Sequence, residues 1–146
     1  MRVAIASDHA GFALKSELVA VLGELKVDFD DLGPGDGDKV DYPDYAQKVT
    51  THLTFGKATH GVLVCGTGIG MSISANKVNG IRAAVCHTEF EARAARAHND
   101  ANVLCLGERV TGGGVARAIV EEFLKTKFEG GRHAKRVEKI LAQEQR

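Results

Sequence analysis

The sequence predicts an α/β fold in which five parallel strands form one sheet, helices cover both faces, and one more helix is appended at the C-terminus. Short strand-like runs, most of them apolar, recur five times along the 146 residues. Each is followed by a stretch whose apolar residues return at helical spacing, and glycine- or aspartate-rich turns punctuate the alternation. Strand and helix in strict alternation mean a parallel sheet with helices on both sides. At this length the expectation is one domain over residues 1–146, long enough to bury a substantial core.

The first strand is Val3, Ala4, Ile5 and Ala6, ending at Ser7-Asp8-His9. Leu14, Leu18, Val21, Leu22 and Leu25 then recur at helical spacing, so a helix runs from about Gly11. Asp8 and His9 therefore sit in a strand-to-helix turn, where Asp8 has a ready structural role as a helix N-cap and His9 could equally be an exposed turn residue. Residues 26–30 predict a short second strand. Residues 32–41, rich in glycine and aspartate, predict a surface loop, and Tyr42-Pro43 opens a helix to about residue 53.

The stretch 61–70 reads Gly-Val-Leu-Val-Cys-Gly-Thr-Gly-Ile-Gly. Val62, Leu63 and Val64 are the third strand, and Cys65 stands at its carboxyl end, where open α/β sheets place their ligands. Gly66, Gly68 and Gly70 alternate with Thr67 and Ile69, a density that lets successive N–H groups turn inward as an anion-binding nest. Residues 71–77 continue as a helix. An isolated cysteine here would be read as a structural thiol before a tight turn; three alternating glycines directly after a strand decide for chemistry.

Several motifs are excluded. Met71 stands where a dinucleotide fingerprint needs glycine and where a cysteine-phosphatase loop needs arginine. No Gly-Lys-Ser/Thr follows, and no second cysteine lies within three residues.

Residues 81–86 predict the fourth strand. Thr88 with Glu91 makes a capping box for a helix through Ala92, Ala95 and Ala97 that ends at His98-Asn99-Asp100. There His98 would interact favourably with the helix C-terminus. Residues 103–106 are the fifth strand, with Gly107-Glu108-Arg109 beyond it. Cys86 and Cys105 fall in apolar strands and read as core. Glycines 112–114 introduce a helix using Val115, Ala118, Ile119 and Phe123. After Gly130-Gly131-Arg132-His133, the terminal helix carries Val137, Ile140 and Leu141 on one face. Arg132 and Arg136, four apart, are neighbours that make a phosphate-sized cationic site or a solvated basic face. Asp8, His9, Cys65 and Arg109 all fall at the carboxyl ends of strands, and this convergence is stronger than any single motif.

Lysine plus arginine equals aspartate plus glutamate at 19 each, so nothing steers the chain to nucleic acid or a membrane. The three cysteines are too far apart for a zinc site or a disulfide framework. Met1-Arg2 leads straight into a strand and no apolar run could span a bilayer, so a reduced, cytoplasmic setting is expected.

The segments Ser7-Asp8-His9-Ala10-Gly11-Phe12, Val40-Asp41-Tyr42-Pro43-Asp44, 65–77, 98–109 and 130–136 resemble the ribose-5-phosphate isomerase B and galactose/allose-6-phosphate isomerase family. The pairing of CGTGIGMS with HNDANVLCLG is the most specific part of that likeness. The resemblance implies a three-layer α/β/α Rossmann-like sandwich with strand order 2-1-3-5-4. It implies Cys65 as the base moving a proton between C1 and C2, with Thr67 also catalytic. Gly66, Gly68, Ile69 and Gly70, with Ser72, would hold the enediolate oxygens. His98 would open the sugar ring; Asp8 and Asn99 would bind hydroxyls; Tyr42 would line the pocket. His9, Arg109, Arg132 and Arg136 would surround the phosphate. A small-molecule sugar phosphate is the implied substrate, with no metal and no organic cofactor, in a homodimer, or a tetramer of such dimers, whose sites are shared between subunits. The glycine- and aspartate-rich loop 33–38 and Glu89-Phe90 depart from the family pattern and bear on sugar preference. The competing readings are a six-carbon phosphosugar substrate such as allose 6-phosphate or galactose 6-phosphate, and a flavodoxin-like phosphate-binding module needing neither Cys65 nor His98.

Overall fold

Arg2–Ser7 (β1), Asp28–Asp31 (β2), His60–Cys65 (β3), Ala83–Val85 (β4) and Val103–Gly107 (β5) form one parallel sheet in the order β2-β1-β3-β5-β4. The structure, a computed structural model, describes residues 1–145. The helices are Phe12–Glu24 (α1), Tyr42–Thr54 (α2), Ile69–Ala75 (α3), Glu89–Asn99 (α4), Gly113–Lys125 (α5) and Arg132–Leu141 (α6). A 3-10 turn, His9–Gly11, precedes α1, and another, Ala142–Gln145, follows α6.

Strand side chains alternate between two cores. Val3, Ile5, Val62, Val64, Leu104 and Leu106 pack with Leu14, Leu18 and Leu22 of α1, Ala92 of α4 and Ile119 and Phe123 of α5. Ala4, Ala6, Leu63, Cys65, Val103 and Cys105 pack with Ala46 and Val49 of α2 and Met71 and Ala75 of α3. The period of two along each strand is what fills both faces. The result is the three-layer sandwich and the strand order implied by the resemblance.

β1 and β3 are neighbours, with Ser7 opposite Val64. The chain leaves β1 through α1 onto one face and leaves β3 through α3 onto the other. A crevice opens between the carboxyl ends of two strands whose connections diverge in this way.

Several boundaries differ from the sequence expectation, three of them for a visible reason. β2 begins at Asp28 because Lys26, at φ 55°, completes the turn that ends α1. β4 contracts to Ala83–Val85, since the Arg82 N–H is taken by the Asn102 side chain rather than by a strand. α3 begins at Ile69 rather than 71, which draws Ile69 and Gly70 into its first turn.

Candidate active site

Asp8, His9, Ala10, Tyr42, Cys65, Gly66, Thr67, Gly70 and Arg109 line a cleft of about 240 Å³ at that crevice. Asp8 N-caps the turn after β1: its Oδ1 accepts the Gly11 N–H at 3.1 Å. The carboxylate is therefore buried and fixed in direction. The His9 Nδ1 lies 3.2 Å from the Val40 carbonyl oxygen and 3.3 Å from the Val40 nitrogen, which ties the ring to the end of loop 32–41. The base of that loop is held by Lys15, whose buried ammonium donates to Asp31 at 2.9 Å and to the Pro34 carbonyl at 2.9 Å.

The glycine motif brings backbone up to the thiol. Gly68, at φ +82°, occupies the left-handed region, and its N–H donates to the Cys65 sulfur at 3.1 Å. Thr67 is exposed at the cleft, and its hydroxyl accepts the Ile69 N–H at 3.2 Å. A methyl group on Gly70 would lie 2.8 Å from the Tyr42 ring, so Tyr42 crosses the start of α3 and closes one wall. Opposite it, a methyl on Gly66 would lie 3.2 Å from Arg109 Nη1. Arg109 is aimed by the backbone, its N–H donating to the Gly66 carbonyl at 3.0 Å while Glu108 N–H donates to the Cys65 carbonyl at 2.9 Å. The Glu108 carboxylate in turn accepts the Leu14 N–H at the start of α1. The structure thus brings Asp8, His9, Tyr42, Cys65, Gly66, Thr67, Gly70 and Arg109 together.

It does not bring His98, Asn99, Arg132 or Arg136 to that cleft within one chain. α4 starts beyond the carboxyl end of β4 and delivers the chain to the amino end of β5, so its last turn lies at the opposite edge of the sheet. Asp100, in the left-handed region at φ 47°, ends α4, and its carboxylate is held by Arg96 at 2.9 Å and Arg82 at 3.2 Å. Here His98 is exposed and stacks on the buried His133 ring, centroids 4.4 Å apart. Arg132 and Arg136 flank this pair on α6, both exposed. Asn99 borders a separate groove of about 850 Å³ with Asn76, Lys77, Arg82, Ile140 and Glu144. Sequence reasoning missed the His98–His133 stack and the buried Lys15. A histidine after Gly130-Gly131, four residues from Glu129, was the only local sign of the first.

The three thiols are not alike. Burial pushes Cys86 up to about 12, and burial with neighbouring thiols pushes Cys105 up as well. Only Cys65 borders the cleft. His60, at the start of β3, is lowered to about 4 by burial first and the Arg96 charge second.

Residues 3–140 match the family described as ribose/galactose isomerase. The chain is 48% identical to ribose-5-phosphate isomerase B of Escherichia coli, over 99% of this chain and 97% of that protein. The ribose-5-phosphate isomerase B structure from Clostridium thermocellum superposes with a TM-score of 0.98 at 48% identity, covering 99% of this chain and 98% of that one. The type B enzyme of Trypanosoma brucei superposes at 0.94 with 50% identity, covering 97% of each chain. Matched by that family over residues 3–140 and 48% identical to one of its members over nearly its whole length, the chain belongs to the ribose/galactose isomerase family.

Proposed function

We propose that the protein interconverts ribose 5-phosphate and ribulose 5-phosphate through an enediolate, with Cys65 as the base. The observation that carries this reading is the Cys65 sulfur, bonded by the Gly68 N–H at 3.1 Å in a cleft at the strand switch point. The names of the relatives support the substrate. In the open-chain aldose the Cys65 sulfur takes the proton from C2 as the C1–C2 double bond forms and the carbonyl electron pair moves onto O1. O1 takes up a proton, O2 gives one up, and the same sulfur returns its proton to C1 as the C2 carbonyl forms. Negative charge develops on the two oxygens, and preorganised backbone donors stabilise such charge strongly. Gly66, Gly68, Ile69 and Gly70 provide that backbone, with Thr67 assisting and Ser72 behind it on α3. Asp8 holds a sugar hydroxyl, Tyr42 closes the pocket, and His9 and Arg109 receive the phosphate.

His98, Asn99, Arg132 and Arg136 complete this site from a second copy of the chain. The reason is geometric: one chain carries the thiol cleft at the carboxyl edge and the histidine–arginine cluster at the amino edge. A homodimer gives two equivalent composite sites related by its two-fold axis. His98 then moves protons between the ring oxygen and the anomeric hydroxyl to open the furanose before Cys65 acts.

Measuring ketose formation from a panel of phosphorylated aldoses tests the reading. Ribose 5-phosphate should give the highest kcat/KM. A higher value for allose 6-phosphate would move the assignment to six-carbon sugars, and no turnover of any aldose phosphate would refute the isomerase reading.

A further inference from the structure

His133 is an imidazole placed where an apolar side chain would serve stability as well. It sits in the first turn of α6 and is only 6% exposed. Its ring lies 4.4 Å from that of His98 and 15° from parallel, an offset stack between a buried ring and an exposed one. On its other side the Nε2 lies 3.4 Å from the Glu129 carboxylate. Glu129 is itself tied to α4, its N–H donating to the Ala97 carbonyl at 3.1 Å, one residue before His98. Gly130 and Gly131, at φ 66° and 56°, make the turn that lets α6 start against α4.

We propose that His133, held beside Glu129 at the start of α6, is the positioning residue for His98: its ring fixes the plane in which His98 presents its nitrogens to the sugar. This rests on the reading of His98 as the ring-opening group. The charged and titratable groups facing His133 are His98 on α4, Glu129 in the connecting turn, and Arg132 and Arg136 on α6. Burial, then His98 and Arg132, hold its pKa below the ordinary histidine value, which outweighs the opposing effect of Glu129. A neutral aromatic partner suits a neighbour that must carry a proton in mid-reaction, because it stacks without repelling the cation. The ligand atoms of His98, Glu129 and His133 also lie within 4.8 Å of one another. Stacked rings, however, direct their in-plane lone pairs side by side, whereas zinc needs each nitrogen about 2.0–2.1 Å away along its lone pair. The arrangement favours orientation over metal coordination.

The test compares His98→Asn, His133→Leu, His133→Phe and the His98→Asn, His133→Leu double variant on ribose 5-phosphate. His133→Leu should lower kcat roughly tenfold with little change in KM. His133→Phe, which keeps a flat partner, should stay within about threefold of wild type. In the His98→Asn background His133→Leu should cost nothing further, because residues that act through one another are not additive. Stabilisation by inorganic phosphate should be the same in wild type and His133→Leu, which separates loss of positioning from a collapsed α6. Glu129→Ala, at an exposed carboxylate, reads the same chain without touching the core and should lower kcat only while His98 is present. Full additivity, a His133→Phe protein no better than His133→Leu, or unchanged kcat in His133→Leu would overturn the proposal. A His98→Asn protein with unchanged turnover would instead overturn the ring-opening reading. Damage in His98→Asn beside none in His133→Leu would sink the positioning role alone.

Discussion

Cys65, Cys86 and Cys105 are all buried, yet their surroundings differ in ways that reactivity can read. The thiolate is the reactive form of cysteine. Cys86, pushed up to about 12, and Cys105, pushed up by complete burial, remain protonated at neutral pH. Iodoacetamide at pH 7.5 should therefore label Cys65 first, with loss of activity in step and with ribose 5-phosphate protecting; mass spectrometry of the peptides checks this. Cys65→Ser should lower kcat by roughly 10²–10⁴-fold, the usual worth of a positioned base, without changing the fold. Label appearing first on Cys86, or near-normal kcat in Cys65→Ser, would be incompatible with the mechanism. Cys65 was legible in the sequence because the strand before it and the glycines after it are contiguous with it. Tyr42 was less so, since its contact with Gly70 crosses between two helices and leaves no local pattern.

Among the elements, α6 carries charge whose purpose is separable from stability. Arg132 and Arg136 are exposed, and exposed charges contribute little to folding. Hydrogen bonds to a charged group are worth about 1.5–3 kcal/mol, so Arg132→Ala should lower kcat/KM by about ten- to hundredfold while Tm without ligand barely moves. Inorganic phosphate should raise the Tm of wild type by mass action and that of the double alanine variant much less; undiminished stabilisation in the double variant would leave both arginines a solvated face. Other elements set the acid limit. His60 on β3 is lowered to about 4 from 6.5, so between those values the unfolded chain takes up a proton that the native chain refuses, and stability falls with pH. Glu122 on α5 is lowered to about 2 from 4.5, chiefly by Lys125 and then by Arg93, so its contribution is present above 4.5 and is lost as pH falls through 2. Urea midpoints should therefore drop from pH 6.5 downward, His60→Gln flattening the 6.5–4 segment and Glu122→Gln the segment below 4.5. The order and type of the strands and α-helices were legible because apolar spacing changes at most strand-to-helix junctions, whereas the 3-10 turns at His9–Gly11 and Ala142–Gln145 were not anticipated. Their ends were less so. The αL turn at Lys26 and the side-chain pairing of Asn102 with Arg82 involve residues with no apolar signal.

At the scale of the whole molecule, the sheet separates the two groups of proposed site residues by its own length. The carboxyl-edge residues could be assembled from sequence because each directly follows a strand. The amino-edge cluster could not be joined to them by any argument within one chain, since α4 returns to the edge opposite Cys65. Only the resemblance connected His98 with the thiol, and the fold turns that connection into a statement about assembly. Arg109, beside Gly66, shares a chain with Cys65, so variants at these two positions cannot complement each other through a composite site. In the proposed homodimer, variants at Cys65 and His98 can. When inactive Cys65→Ser and His98→Asn homodimers are mixed and allowed to exchange, each heterodimer has one doubly damaged site and one intact site. Random exchange in equal amounts makes half the dimers mixed, so activity should recover to about a quarter of wild type. Mixing Cys65→Ser with Arg109→Ala should recover none. Sedimentation at micromolar concentration should show no appreciable monomer. Recovery with the Arg109 partner, no recovery with the His98 partner despite demonstrated subunit exchange, or a fully active monomer would each contradict the shared site.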